Sequence, residues 1–132
     1  MESGEDSYER KKLNLFGQIL MTDVRDNTID QWEGYIDGSN KGITAQEVFK
    51  QCQHFNLEDK ELIKKLFSQV VDTTIHHLLV AVEQNENLNV TISLDSIESI
   101  NIKDISDGLA GELYTEDGWI ATFSENDDHS II

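Results

Sequence analysis

The sequence predicts an α+β domain in which a helical first two thirds, two long helices and one short, packs on a small antiparallel C-terminal sheet. Two observations carry this prediction. Apolar residues recur at helical spacing from Leu13 to Ile36 and from Leu62 to Ala81, and the period then changes to strict alternation at Leu88, Val90, Ile92 and Leu94. No Pro interrupts either pattern, and no repeat or linker divides the 132 residues into more than one domain.

Residues 1–8 have too little apolar content to pack and are expected to form a mobile tail, leaving a single domain over 9–124 and a polar tail over 125–132. Leu13, Phe16, Leu20, Val24, Trp32 and Ile36, with Thr28 filling a gap, define one face of a helix ending near Asp37, which places Trp32 on the core side. Asp37-Gly38-Ser39-Asn40-Lys41-Gly42 supplies turn chemistry, because Gly and Asn tolerate positive φ. Thr44 followed by Glu47 fits a capping box opening a short helix from Ala45 to about His54. Asn56 can cap a third helix, which the spacing of Leu62, Leu66, Val70, Thr74 and Leu78 carries to about Glu86. Beyond it, Leu88 to Leu94 and Ile100 with Ile102 read as two strands, each with one buried and one wet face. Glu112-Leu113-Tyr114 and Trp119 to Phe123 flank Thr115-Glu116-Asp117-Gly118, a second hairpin signal in which Gly118 would take the left-handed conformation. Gly108 and Gly111 fit a bend between strands, with no helix signal or basic residue after them to hold a phosphate.

Charge is the least ordinary global property. The formal net charge is -16, and it is uneven: residues 1–66 hold 13 acids and 9 bases, whereas residues 67–132 hold 13 acids and one base, Lys103. A field of this sign repels nucleic acid and anionic lipid and speeds encounter with a basic protein, although acidity also serves solubility alone. The longest unbroken apolar run, Leu78 to Val82, is five residues, and the start MESGEDSYERKK is polar and acidic, so neither a membrane span nor an export signal is expected. The single Cys52, at helical spacing near Val48 and Phe55, fits a small buried hydrophobe in a reducing cytoplasm better than a catalytic thiol.

Three constellations bear on chemistry. Asp37 to Val48 has the outline of a calcium loop, but Lys41 stands at its fifth position and Val48 at its twelfth, where an oxygen ligand and a bidentate carboxylate are needed, so calcium is rejected. Asp72, His76 and Glu83 share a face of the long helix and could bind a transition metal or act as an acid–base group. The plainer reading is preferred: Asp72 accompanies a surface His76 and His77 packs at the core edge, with no metal or other cofactor. The third constellation is the acidic hairpin, where Glu112, Tyr114, Glu116, Asp117 and Trp119 put carboxylates and two large aromatics beside a tight turn, a mixture suited to the Arg and Lys side chains of a partner. The alternative there is a core Trp and Tyr with a solvated turn.

The stretches from Val70 to Leu79 (VVDTTIHHLL) and from Asp107 to Ile120 (DGLAGELYTEDGWI) resemble parts of small acidic bacterial proteins of the immunity type. The order of helices followed by a small sheet is similar too. The resemblance implies a cytoplasmic inhibitor that binds and blocks a basic protein toxin, such as a nuclease, through an acidic face, without catalysis of its own. Two rival readings stand beside it: a nucleic-acid mimic that inhibits a DNA- or RNA-binding protein, and an enzyme built on Asp72, His76 and Glu83.

Overall fold

The computed structural model describes the backbone of residues 4–94 and 98–126 and the side chains of residues 8–93 and 98–126. Five helical elements come first: α1 (Gly4–Ile19), a π-helical segment (Leu20–Asp26) that runs without a break into α2 (Asn27–Asp37), α3 (Ile43–Gln51) and α4 (Leu57–Gln84). Strands β1 (Thr91–Leu94) and β2 (Glu98–Asn101) follow, then two 3-10 turns (Ile102–Asp104 and Ala110–Leu113) and a short α5 (Trp119–Phe123). The helical first two thirds and the small antiparallel sheet agree with the fold class read from the pattern.

Helix α1 begins at Gly4, inside the stretch expected to be a tail, and Lys12 explains part of its anchorage. Its side chain is fully buried, with the ammonium 4.6 Å from the centre of the Tyr8 ring and donating to the Glu98 carbonyl of β2 at 3.2 Å. The π-helical segment is the main departure from the expected periodicity. A π turn holds more residues than an α turn, so the inward face rotates by about one position across it. The buried series is therefore Leu13, Leu20, Met21, Arg25, Ile29 and Ile36, while Val24 and Trp32 turn outward at 43% and 36% exposure. The expectation that Trp32 lies in the core is corrected accordingly.

The α2 stop agrees with the turn chemistry: Gly38 takes φ 77°, and Ser39 N–H donates to the Gly34 carbonyl at 3.0 Å. The Thr44–Glu47 capping box does not form. Helix α3 starts two residues earlier, at Ile43, after Gly42 with φ 114°, a conformation that glycine reaches without a Cβ clash. Asn56 does cap α4, accepting from Asp59 N–H at 2.8 Å while the Asp59 carboxylate accepts from Asn56 N–H at 3.3 Å. Lys64 Nζ donates to Asp37 at 2.9 Å and so ties α4 to the end of α2.

The core lies between α1, the π-helical segment and the middle of α4, closed from the C-terminal side by Ile102, Leu109, Leu113, Trp119 and Ile120. Ile92 pairs with Ile100 across the sheet, and Ile102 N–H donates to the Val90 carbonyl at 2.9 Å, carrying the pairing one step past β2. Val90 and Ile92 pack against the core as the alternation requires. Residues 112–123 do not form the expected second hairpin. Leu113, Trp119 and Ile120 are all buried, which two facing strands with period-2 alternation would not achieve; a 3-10 turn followed by a short helix does. Among the described residues no helix is long and apolar enough to cross a membrane.

Candidate functional site

The five residues of the acidic segment take different roles. Trp119 is a core residue at 2% exposure: its indole lies on Gly17 of α1, where any Cβ would collide with the ring, and meets Phe16 edge-on at 5.8 Å. Glu112 is half-buried and already engaged, accepting from Arg10 Nη1 and from Ser106 Oγ, each at 2.9 Å. Tyr114 is half-buried with its hydroxyl 2.7 Å from His76 Nδ1. Glu116 and Asp117 are exposed, and neither has a salt-bridge partner among the described residues. The solvent-facing part of the sequence-predicted set is thus this carboxylate pair with the edge of Tyr114.

The turn that presents the pair is firmly built. Gly118 N–H donates to the Thr115 carbonyl at 3.1 Å, and Thr115, not Gly118, takes the positive φ, at 73°. Gly118 is extended, and glycine is required there because a Cβ would strike the Tyr114 carbonyl. A β-branched residue in the left-handed region carries backbone strain, held here by Tyr114 on one side and Trp119 on the other. Beside the turn, Arg10, Asn14, Glu112, Tyr114, Thr115 and Asp117 line a polar cleft of about 490 Å³.

Asp72, His76 and Glu83 do not converge. Asp72 is buried and gives both oxygens to Arg25; His76 turns to Tyr114; Glu83 accepts from Leu109 N–H at 2.8 Å and anchors the loop before the second 3-10 turn. No group of three or more His, Cys, Asp or Glu suited to a metal occurs among the described residues. The expected positions of the two histidines are reversed, since His76 is half-buried and His77 is exposed. Burial, and behind it the charge of Asp72, push the Tyr114 phenol above its ordinary pKa.

Two features had no counterpart in the sequence reading. The first is a polar junction. Arg25 Nη1 donates to Ser124 Oγ at 2.6 Å and to the Asn126 carbonyl at 2.9 Å, while Asp26 accepts from Ser124 Oγ at 2.6 Å and Glu125 N–H at 3.0 Å. Residues 124–126 are therefore pinned to the π-helical segment, within a stretch read as tail from 125 onward; the remainder of that stretch, 127–132, lies outside the described residues. The second feature is an apolar groove of about 460 Å³ between α2 and α4, lined by Val24, Thr28, Trp32, Phe67, Val70, Val71, Thr74 and Ile75. Its sequence signal was available: residues 66–82 contain one Asp, no Glu, Lys or Arg, and the one Asp72 is buried.

Comparison of the chain with protein-family models, with curated proteins and with solved structures finds no match.

Proposed function

We propose that this protein is a cytoplasmic inhibitor of the immunity type, which binds a cationic protein, such as a toxin nuclease, and blocks it by occupying its basic surface. The observation that carries the reading is the pairing of Glu116 and Asp117 on a strained, well-anchored turn, exposed and without salt-bridge partners among the described residues, in the half of the chain where Lys103 is the one base. Lys103 is itself engaged, donating from Nζ to the Asn85 carbonyl at 2.8 Å. Carboxylates held on a rigid turn meet Arg or Lys side chains with little further loss of conformational freedom, and a one-signed field raises the encounter rate. The free, buried Cys52 is compatible with a reducing compartment.

Titration calorimetry against the purified product of the adjacent gene tests the proposal, provided that product is basic. A one-to-one complex whose affinity falls steeply between low and physiological salt is expected. Absence of binding to that product and to a panel of basic nucleases at low salt would remove the inhibitor reading.

A further inference from the structure

We infer that the α2–α4 groove is a second docking surface, and that its occupant is an amphipathic helix of a partner protein with an apolar face and Lys or Arg flanks. The inference rests on the cationic-partner reading above and adds a place and a shape to it. Val70 at 63% exposure, Val24 at 43% and Trp32 at 36% are large apolar side chains left in water around one depression, and it is their convergence on one concave site, more than their exposure, that sets them apart from exposed Ile43 and Leu57 elsewhere. The depression is not isolated. Leu66, Gln69, Val70, Thr73, Thr74 and His77 line a second one on the outer face of α4, and the two share Val70 and Thr74. The α4 lining residues, from Leu66 to His77, make an uncharged strip about 16 Å long at the α-helical rise, enough to seat about three turns of a partner helix through its i, i+3, i+4 and i+7 side chains.

Electrostatics chooses the occupant. No lining residue of either depression is an acid or carries a Lys or Arg, and the sequence has no exposed Lys or Arg from Leu13 to Asn40 or from Leu66 to Ile102. The wall opposite α4 is the acidic one, with exposed Asp23 next to Val24 and exposed Asp30 further along, while the α4 wall from Leu66 to Val82 exposes no charge and exposed Lys65 lies just beyond its end. A second copy of this chain would bring another charge of -16 against that acidic wall, while a helix with cationic flanks places its apolar residues in the groove and its charges over the acidic rim. A small apolar ligand would fill the first depression and leave the outer strip of α4 in water.

The test uses an 18-residue synthetic helix of Leu and Lys in amphipathic order and its counterpart with Glu in place of Lys. Trp32 reports docking, because the other tryptophan, Trp119, is already buried. The Leu/Lys helix is expected to shift the Trp32 emission to the blue with one-to-one saturation, and V70Q, which removes an anchor without altering the field, should weaken it tenfold or more. Equal binding of the Leu/Glu helix, equal binding by V70Q, or no blue shift would overturn the inference. A dimer of the protein alone in sedimentation that V70Q dissociates would also overturn it, by assigning the groove to a second copy. If the helix docks but no basic protein binds, the inhibitor proposal falls and the groove stands; if a basic protein binds through Glu116 and Asp117 and the helix does not dock, the reverse holds.

Discussion

Arg25 and Asp72 form a two-point ion pair with neither side chain exposed: Arg25 Nε donates to Asp72 Oδ1 at 2.5 Å, and Nη2 to Oδ2 at 3.2 Å. The pair joins the π-helical segment to the middle of α4, and the remaining guanidinium N–H capacity holds Ser124 and Asn126. A charge so deep is tolerable only because its hydrogen-bonding capacity is used. Removing one partner is much worse than removing both. D72A should cost about 3–5 kcal/mol in denaturant melts by stranding Arg25, whereas R25M with D72L should recover most of that loss. A double variant as unstable as D72A would show that Arg25 matters chiefly through Ser124 and Asn126.

The two tryptophans separate core from groove. W119A removes a fully buried indole seated on Gly17 and should cost about 3–5 kcal/mol through the cavity it leaves. W32A loses edge-on contacts with Tyr35 at 5.0 Å and Phe67 at 5.4 Å, but Trp32 is 36% exposed and its removal opens to solvent and leaves no closed cavity, so a smaller loss of about 2 kcal/mol is expected. Chemical melts of both variants check the order. A larger loss for W32A would restore the uninterrupted α-helical phase that the sequence pattern implies.

That contrast also shows how far the pattern could be read. The Asn56 cap, the Gly38 stop, the 28-residue α4 and the alternation into β1 are local effects, and each was legible from neighbouring residues. The π-helical segment was not, because its cause is remote: Arg25 and Asp26 turn inward to meet Asp72 and residues 124–126, partners distant in sequence. The hairpin signal at 112–123 failed for a related reason. Turn residues and aromatics suited a strand, but Trp119 finds its place against Gly17, which only the tertiary structure brings near. Of the candidate site, the exposed carboxylates Glu116 and Asp117 were legible as charges; the engagement of Glu112 with Arg10 was not.

Tyr114 gives a pH dependence with a definite sign. Its phenol, ordinarily titrating near 10.0, is raised in the folded protein by burial and by Asp72. Below the unfolded pKa both states hold the proton and the contribution to stability is fully present. As pH rises past 10.0 the unfolded state releases the proton first, so stability falls until the folded phenol also ionises. Y114F should remove this loss from melts recorded between pH 9 and 11, at the expense of the His76 hydrogen bond at all pH values. An unchanged alkaline limb in Y114F would assign the loss to another group.

Glu112, Glu116 and Asp117 stood together in the sequence as one acidic cluster, and the structure makes opposite predictions for them. Glu112 holds Arg10 of α1 and Ser106, so E112Q should lower stability by about 1 kcal/mol while leaving association with a basic partner close to the native rate. Glu116 and Asp117 hold nothing among the described residues, so E116K with D117K should change stability by no more than about 0.5 kcal/mol. Its effect belongs to association: reversing two charges at the turn weakens the attractive field, which should slow the on-rate and flatten its dependence on ionic strength. A desolvated contact at the turn would add to the off-rate, with a loss of about 2 kcal/mol or more in affinity. Stopped-flow measurements at two salt concentrations separate the two contributions. Native on- and off-rates in the doubly reversed variant would move the binding face away from the turn, leaving the groove between α2 and α4 as the surface that meets the partner.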